Sequence, residues 1–261
     1  MRKTLRNPDA KSTAGSTTKA LTLLNLFVAR RHIRVTDASS ELAVSASTAH
    51  RLLTALKSAG YVQQERHHAT YTVGPELAEL ARAISLRLDL DDAARPHLRR
   101  LAGDLNETAH VAILRGSDVL FLGCARPNRA SAAVSREGCT MPAYATAAGK
   151  ALLAGLSRLD IERLYPTDKL ARITSKTLPS RTRLLDNLRE VRDLGYATHV
   201  EESQRSIVAY ACPIRDTAGT TRAAVVVAGP IVRFASYSAP SIVAKLQAAA
   251  DATFADFTDA H

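Results

Sequence analysis

Residues 45–60, SASTAHRLLTALKSAG, constrain the fold more than any other stretch of the chain. At about 100° per residue, Ala49, Leu52, Leu53 and Leu56 fall on one narrow stripe of a helix, and such a stripe must be buried. Ser47, Arg51, Thr54 and Ser58 lie nearly opposite, with His50 and Lys57 on one shoulder and Thr48 on the other. No acid stands between Val44 and Gly60. A solvated face ordinarily mixes Glu with Lys, whereas a surface pressed against phosphate repels carboxylates. Arg can grip guanine O6 and N7, and Ser or Thr can bond phosphates or base edges. The pattern predicts a buried helix whose outer face reads double-stranded DNA.

The flanking sequence predicts the rest of a reading module. STTKALTLLNLFVARR places Ala20, Leu23, Leu24, Phe27 and Val28 on a helical stripe, with Ser16 as its cap, and Lys19 reads as phosphate-facing. VTDASSELAV gives a second short helix beginning near Thr36, with Asp37 in its first turn. The tight AVSAS turn leads into the third helix, capped by Ser45 or Ser47 and closed by Gly60. YVQQER and TYTVG, around HHA, then form a two-stranded wing. Charge agrees with this division. Of a net +10, residues 1–74 carry eleven Lys/Arg against four Asp/Glu, and the remainder is nearly balanced.

The expected organisation is a basic arm over residues 1–15, a winged helix-turn-helix domain over 16–75, a linker helix over 76–91 opened by Pro75, and a second domain over 92–261. In that second part, HVAILR, DVLFLGCA, ASAAVS, YATHV, IVAYACPI and RAAVVVAGP read as strands. RPHLRRLAGDLNETA, TAAGKALLAGL, SRLDIERLY, a helix from Ser180 to the stop at Gly195 and a last helix from about Ala239 read as helices. The class is α+β, two domains, with a largely antiparallel sheet in the second. No apolar run approaches the ~20 residues of a membrane span, and the basic N-terminus lacks a signal core, so a cytoplasmic protein is expected.

Several chemistries are excluded. Cys124, Cys139 and Cys212 are widely spaced and odd in number, which fits neither a disulfide framework nor a CxxC knuckle. AAGKA around Lys150 lacks the first glycine and the Ser/Thr of a phosphate loop. STTK lacks the partner motifs of penicillin-binding enzymes, and the eight histidines show no HExxH spacing. No cofactor or metal is expected, and no catalytic residue.

STTKALTLLNLF, VTDASSELAVSASTAHRLLTALKSAGYVQQE and YTVGPELAELA resemble the winged helix-turn-helix of the IclR family of bacterial transcriptional regulators. LAGDLNETAHVAIL, GCTMPAYATAAGKALLAGL, LREVRDLGYATHVEES and ACPIRD with AAVVVAGPIVR resemble that family's GAF-like effector domain. The resemblance implies DNA contacts from Lys19, Thr36, Ser45, Ser47, Thr48, His50, Arg51, Thr54 and Lys57, and from Arg66, His67 and His68 at the wing. It implies an effector site at Met141, Ala143, Tyr144, Ala145, Thr146, Ala147, Gly149, Glu201, Glu202, Ser206, Ala209, Val226 and Ala228. It further implies a homodimer, or a dimer of dimers, on a two-fold-symmetric operator.

The sequence departs from the family pattern at three places. Tyr144 stands where a His is common and Ser206 where a Gly is common, while Ala209, Val226 and Ala228 replace frequent Ser or Cys positions. The expected effector is therefore an aromatic or otherwise partly apolar carboxylate, with Tyr144 as stacking surface or hydroxyl donor. An architectural DNA binder whose second domain only oligomerises, and an enzyme built on that domain, are the alternatives.

Overall fold

The computed structural model describes residues 15–64, 70–127 and 135–259. The chain divides into two compact units, the first ending at Leu86 and the second starting at Arg87. In the first unit, helices α1 (Ser16–Leu26), α2 (Val35–Leu42) and α3 (Ala46–Ser58) enclose a core of Leu23, Ile33, Ala38, Ala49, Leu52, Leu53, Val62 and Tyr71. Strands β1 (Ile33–Arg34), β2 (Val62–Gln64) and β3 (Thr70–Val73) form an antiparallel sheet in the order β1-β3-β2. The sheet thus has a third strand beside the expected pair; two residues are too few for an alternation to show. Arg66, His67, His68 and the wing tip lie outside the described residues.

Caps set the helix-turn-helix. Ser45 begins α3, its Oγ accepting the Thr48 N–H at 3.3 Å, whereas Ser16 is a first-turn residue preceded by Gly15 rather than a cap. The Asp37 carboxylate accepts the Arg34 N–H at 2.8 Å at the start of α2. At the turn, Ala43 is left-handed with φ 50°, and Ser39 Oγ donates to the Val44 carbonyl at 2.6 Å.

The sequence reading breaks the following run into a linker helix and a separate stretch beyond Arg95. The chain instead forms one helix, α4 (Pro75–Leu105), with Pro96 inside it. An interior proline costs about 3 kcal/mol. Tertiary packing offsets that cost, because Leu90, Ala94, Leu98, Leu101, Ala102 and Leu105 are all buried on both sides of the proline.

The second unit is a six-stranded antiparallel sheet in the order β6-β5-β4-β9-β8-β7. Its strands are β4 (Thr108–Arg115), β5 (Asp118–Ala125), β6 (Thr140–Pro142), β7 (Ala197–Val200), β8 (Ile207–Arg215) and β9 (Thr221–Pro230). The two-residue turn Gly116–Ser117, with Gly116 at φ 60°, joins β4 to β5. Short β6 has no counterpart among the expected strands, and the expected strand ASAAVS falls almost wholly outside the described residues. Period-two alternation assigns each strand's residues to two cores. Ala223, Val225 and Val227 pack with α4 and the last helix, α9 (Ala239–Asp259), while Ala224 and Val226 pack with α5 (Ala147–Leu153) and α7 (Arg181–Leu194). Helices α6 (Arg158–Leu164) and α8 (Ile231–Phe234) complete the unit. Ser180 caps α7 by accepting the Arg183 N–H, and left-handed Gly195 ends it.

Candidate functional site

The first candidate is the outer face of α3. Ala49, Leu52 and Leu53 are buried, while Ser45, Ser47, His50, Arg51, Thr54 and Lys57 are exposed and Thr48 is half-buried. The core stripe therefore holds the helix so that its acid-free face meets solvent. At its N-terminus, Ser45 Oγ lies 2.9 Å from both Ser47 Oγ and Thr48 Oγ1, joining three hydroxyls in one cluster. Lys57 Nζ donates to Gln64 Oε1 at 3.0 Å, tying the helix end to β2. Half-buried Lys19 shares a groove with Ser16, Thr48, Arg51 and Thr54, so α1 and α3 present cations along one line. Thr36 is exposed on α2.

The second candidate is a cavity of about 250 Å³ on the α5 side of the large sheet. Its floor follows from register. Ala209 pairs with Ala228, Ile207 with Pro230, and His199 of β7 stands opposite Ala209. Val226 lies two residues before Ala228 on the same face, with His110 opposite it on β4. Two alanines in register withhold side-chain volume there, and the space above them is left open. Met141, Thr146, Ala147 and Ala148 border it from the β6–α5 segment, and Phe121 from β5. His110 meets the Phe121 ring edge-on at 5.3 Å between centroids.

The polar part of the lining is one connected strip. His110 Nε2 accepts the backbone N–H of Arg136 at 3.2 Å, and the Arg136 guanidinium donates to Gln204 Oε1 at 2.5 Å. The adjacent Ser203 donates its backbone N–H to His199 Nε2 at 2.7 Å, with its Oγ also 2.7 Å from that nitrogen. Both Nε2 atoms act as acceptors, so each neutral ring carries its proton on Nδ1. Neither Nδ1 has a partner among the described residues. Burial, then the Arg136 charge, takes the His110 pKa down to about 4; burial, then the Lys150 charge, takes His199 to about 4. Among the described residues no carboxylate lines the cavity, whose lining offers donors, one guanidinium and an apolar floor.

Of the effector positions expected from the sequence, Met141, Thr146, Ala147, Ala209, Val226 and Ala228 line this cavity. Ala143, Tyr144, Ala145, Gly149, Glu201, Glu202 and Ser206 do not. Tyr144 is buried elsewhere, its hydroxyl donating to the Ala171 carbonyl at 2.8 Å and its ring edge-on to Tyr165. The aromatic wall is Phe121 instead. Gly149 provides close approach: an added Cβ would meet the Ala143 carbonyl oxygen at 2.2 Å.

The acidic pair holds the 201–206 segment. Glu202 Oε1 accepts from Lys150 Nζ at 2.7 Å, both groups being buried, while Thr174 and Thr177 hydroxyls donate to the Glu201 and Glu202 carbonyls at 2.6 and 2.7 Å. Burial pushes the Lys150 ammonium down from its ordinary pKa, and Glu202 pushes it back up. Glu201 and Ser206 both have positive φ, 57° and 60°, and the Ser206 N–H donates to the Glu201 carboxylate at 2.7 Å. The left-handed backbone at Ser206 explains why glycine suits that position. Sequence reasoning missed His110, Phe121, Arg136, His199, Ser203 and Gln204. A histidine at the inward phase of an apolar strand, in TAHVAILR and ATHV, was the available signal.

Among the described residues no group of three or more His, Cys, Asp or Glu is placed to hold a metal ion, and no helix is long and apolar enough to cross a membrane.

Family models match both units. The IclR helix-turn-helix domain matches residues 16–66, and the C-terminal domain of bacterial IclR transcriptional regulators matches residues 81–254. The chain is 33% identical over 234 residues to the HTH-type transcriptional regulator BhcR of Paracoccus denitrificans, covering 90% of this chain and 81% of that protein. It is 30% identical over 245 residues to KdgR of Escherichia coli, covering 94% and 92%. Among solved structures, an IclR-type regulator from Silicibacter sp. TM1040 superposes with a TM-score of 0.63 at 26% identity over 93% of this chain and 96% of that one. An IclR homolog from Microbacterium hydrocarbonoxydans, complexed with 4-hydroxybenzoate, shares the fold with a TM-score of 0.62 at 24% identity over 94% and 100%. With both of its units matched, in order and by models of the same family, the chain belongs to the IclR family of helix-turn-helix transcriptional regulators.

Proposed function

We propose that this regulator binds a two-fold-symmetric operator through α3 and that a small, partly apolar carboxylic acid in the sheet cavity controls that binding. Arg51 reads a base edge, while Lys19 and Lys57 meet phosphates and the Ser45, Ser47, Thr48 and Thr54 hydroxyls fix the register. Exposed Thr36 and His50 border the same surface. The observation that carries the ligand reading is the mixed lining of the cavity: a polar strip of His110, Arg136, His199, Ser203 and Gln204 beside alanine, valine and Phe121. An acid head with an aromatic body suits that division, and the 4-hydroxybenzoate in the Microbacterium homolog supports it. Controlled genes for the breakdown of such an acid are the natural target. A homodimer, or two paired dimers, fits the palindromic operator, and exposed Leu80, Ile84 and Leu88 at four-residue spacing on α4 offer an apolar stripe for a second copy.

Selection of genomic fragments by the full-length protein, followed by titration of aromatic acids into the protein–DNA complex, tests this reading. An effector must change operator affinity, and operator must change effector affinity by the same factor. Acids that bind without altering DNA affinity would overturn it.

A further inference from the structure

Arg136 is joined to the cavity at two points. Its backbone N–H fixes the His110 ring, and its guanidinium reaches Gln204 on the segment between β7 and β8. Among the described residues that guanidinium is the cavity's cation: Lys150 does not line the cavity and is committed to Glu202, and the two imidazoles are neutral around pH 7. Its acceptor, the Gln204 amide oxygen, is a neutral one, whereas a carboxylate brings a full negative charge and two oxygens that match the guanidinium fork. A cation held by a replaceable neutral acceptor makes a corner of the cavity suited to a ligand carboxylate.

We infer that Arg136 is the carboxylate-recognising residue of the cavity and that Gln204 occupies its guanidinium until a ligand carboxylate takes over. This deepens the effector reading proposed above and rests on it. The corner also sets specificity. A carboxylate satisfies the guanidinium in two-point fashion, whereas the corresponding amide presents one oxygen and two competing N–H donors. Because Arg136 and Gln204 lie on different segments, the exchange of acceptors releases one loop from the other as the ligand is gripped.

The test is calorimetric titration of the full-length protein with benzoate, 4-hydroxybenzoate and phenylacetate, each against its amide. The wild-type protein is expected to prefer an acid over its amide at least about tenfold. Arg136→Met should bring that preference close to one by weakening acids far more than amides, and Arg136→Lys should restore part of it. A merely structural role would weaken acid and amide alike, and that result overturns the inference. Equal acid preference in Arg136→Met and wild type overturns it too, while the effector reading stands. If none of the three acids binds the wild-type protein, both the inference and the aromatic-acid reading fall together.

Discussion

The backbone N–H of Arg136 donates to Nε2 of His110 at 3.2 Å, fixing the ring of an imidazole that burial, then the charge of that same arginine 26 positions away, keeps neutral. The His199 Nε2 likewise accepts the Ser203 N–H, burial and then the Lys150 charge keep that ring neutral, and both folded pKa values lie at about 4. Unfolded, each ring titrates at about 6.5. Between those values the unfolded chain binds more protons, so stability is lost as pH falls from about 6.5 toward 4 and is recovered as it rises. Urea unfolding at about pH 5 should show a lower midpoint than at about pH 7, and His110→Asn should remove roughly half of that difference. An unchanged midpoint would mean that the rings are protonated in the folded state.

The Lys150–Glu202 pair is buried, and Glu202 Oε2 has no partner among the described residues. Lys150→Met leaves a buried carboxylate uncompensated and should cost about 3–5 kcal/mol. Adding Glu202→Gln should recover much of that loss, because the charge itself is removed. A double-mutant cycle by chemical denaturation measures the coupling, and additive losses would show that the two groups do not depend on one another.

Gly149→Ala should destabilise the second unit by at least about 1–3 kcal/mol, since the new methyl has backbone on the Ala143 side rather than a side chain that can turn away. Thermal unfolding reads this directly. A variant as stable as the parent would show that the 143–145 turn (Ala143–Ala145) is free to retreat from α5.

Much of the fold could be read in advance because it rests on periodicity. The stripe of Ala49, Leu52 and Leu53 and the alternation through β8 and β9 are properties of short windows. What could not be read depends on partners distant in sequence. Ile33–Arg34 and Thr140–Pro142 are too short to show a pattern and become strands only through β3 and β5. Pro96 argues for a break that burial on both sides overrides. Of the cavity lining, the small floor residues Ala209, Val226 and Ala228 are visible in the sequence as departures from the family pattern. Its polar strip joins residues 110, 136, 199 and 203–204, which only sheet register and loop closure bring together, and Tyr144 drew attention that belongs to Phe121.

On the DNA-facing side, Arg51→Ala should cost about 1–3 kcal/mol and relax preference at one operator position. Lys57→Ala should weaken binding to all sequences and lower the magnitude of the salt slope by about 1. Fluorescence anisotropy with operator and scrambled duplexes across a salt series separates the two effects. Sequence preference left intact by Arg51→Ala would mean that another side chain of α3 does the reading.

Ala228→Leu should fill the cavity above the register pair. The unliganded protein should melt no lower than its parent by more than a few degrees, while the stabilisation given by any bound acid disappears. Retained stabilisation would move the ligand away from this floor.

The facing alanines at 209 and 228 have a consequence for how such a sensor diverges. The shape of the chamber is defined by methyl groups on two neighbouring strands whose backbones are already fixed by a full ladder of hydrogen bonds. Exchanging either alanine for serine, cysteine or valine re-tailors the chamber without shifting a strand and without touching the residues that face DNA. On the function proposed here, one scaffold can therefore be re-addressed to a new metabolite while its operator stays the same, and the chemical signal and the genetic address drift independently.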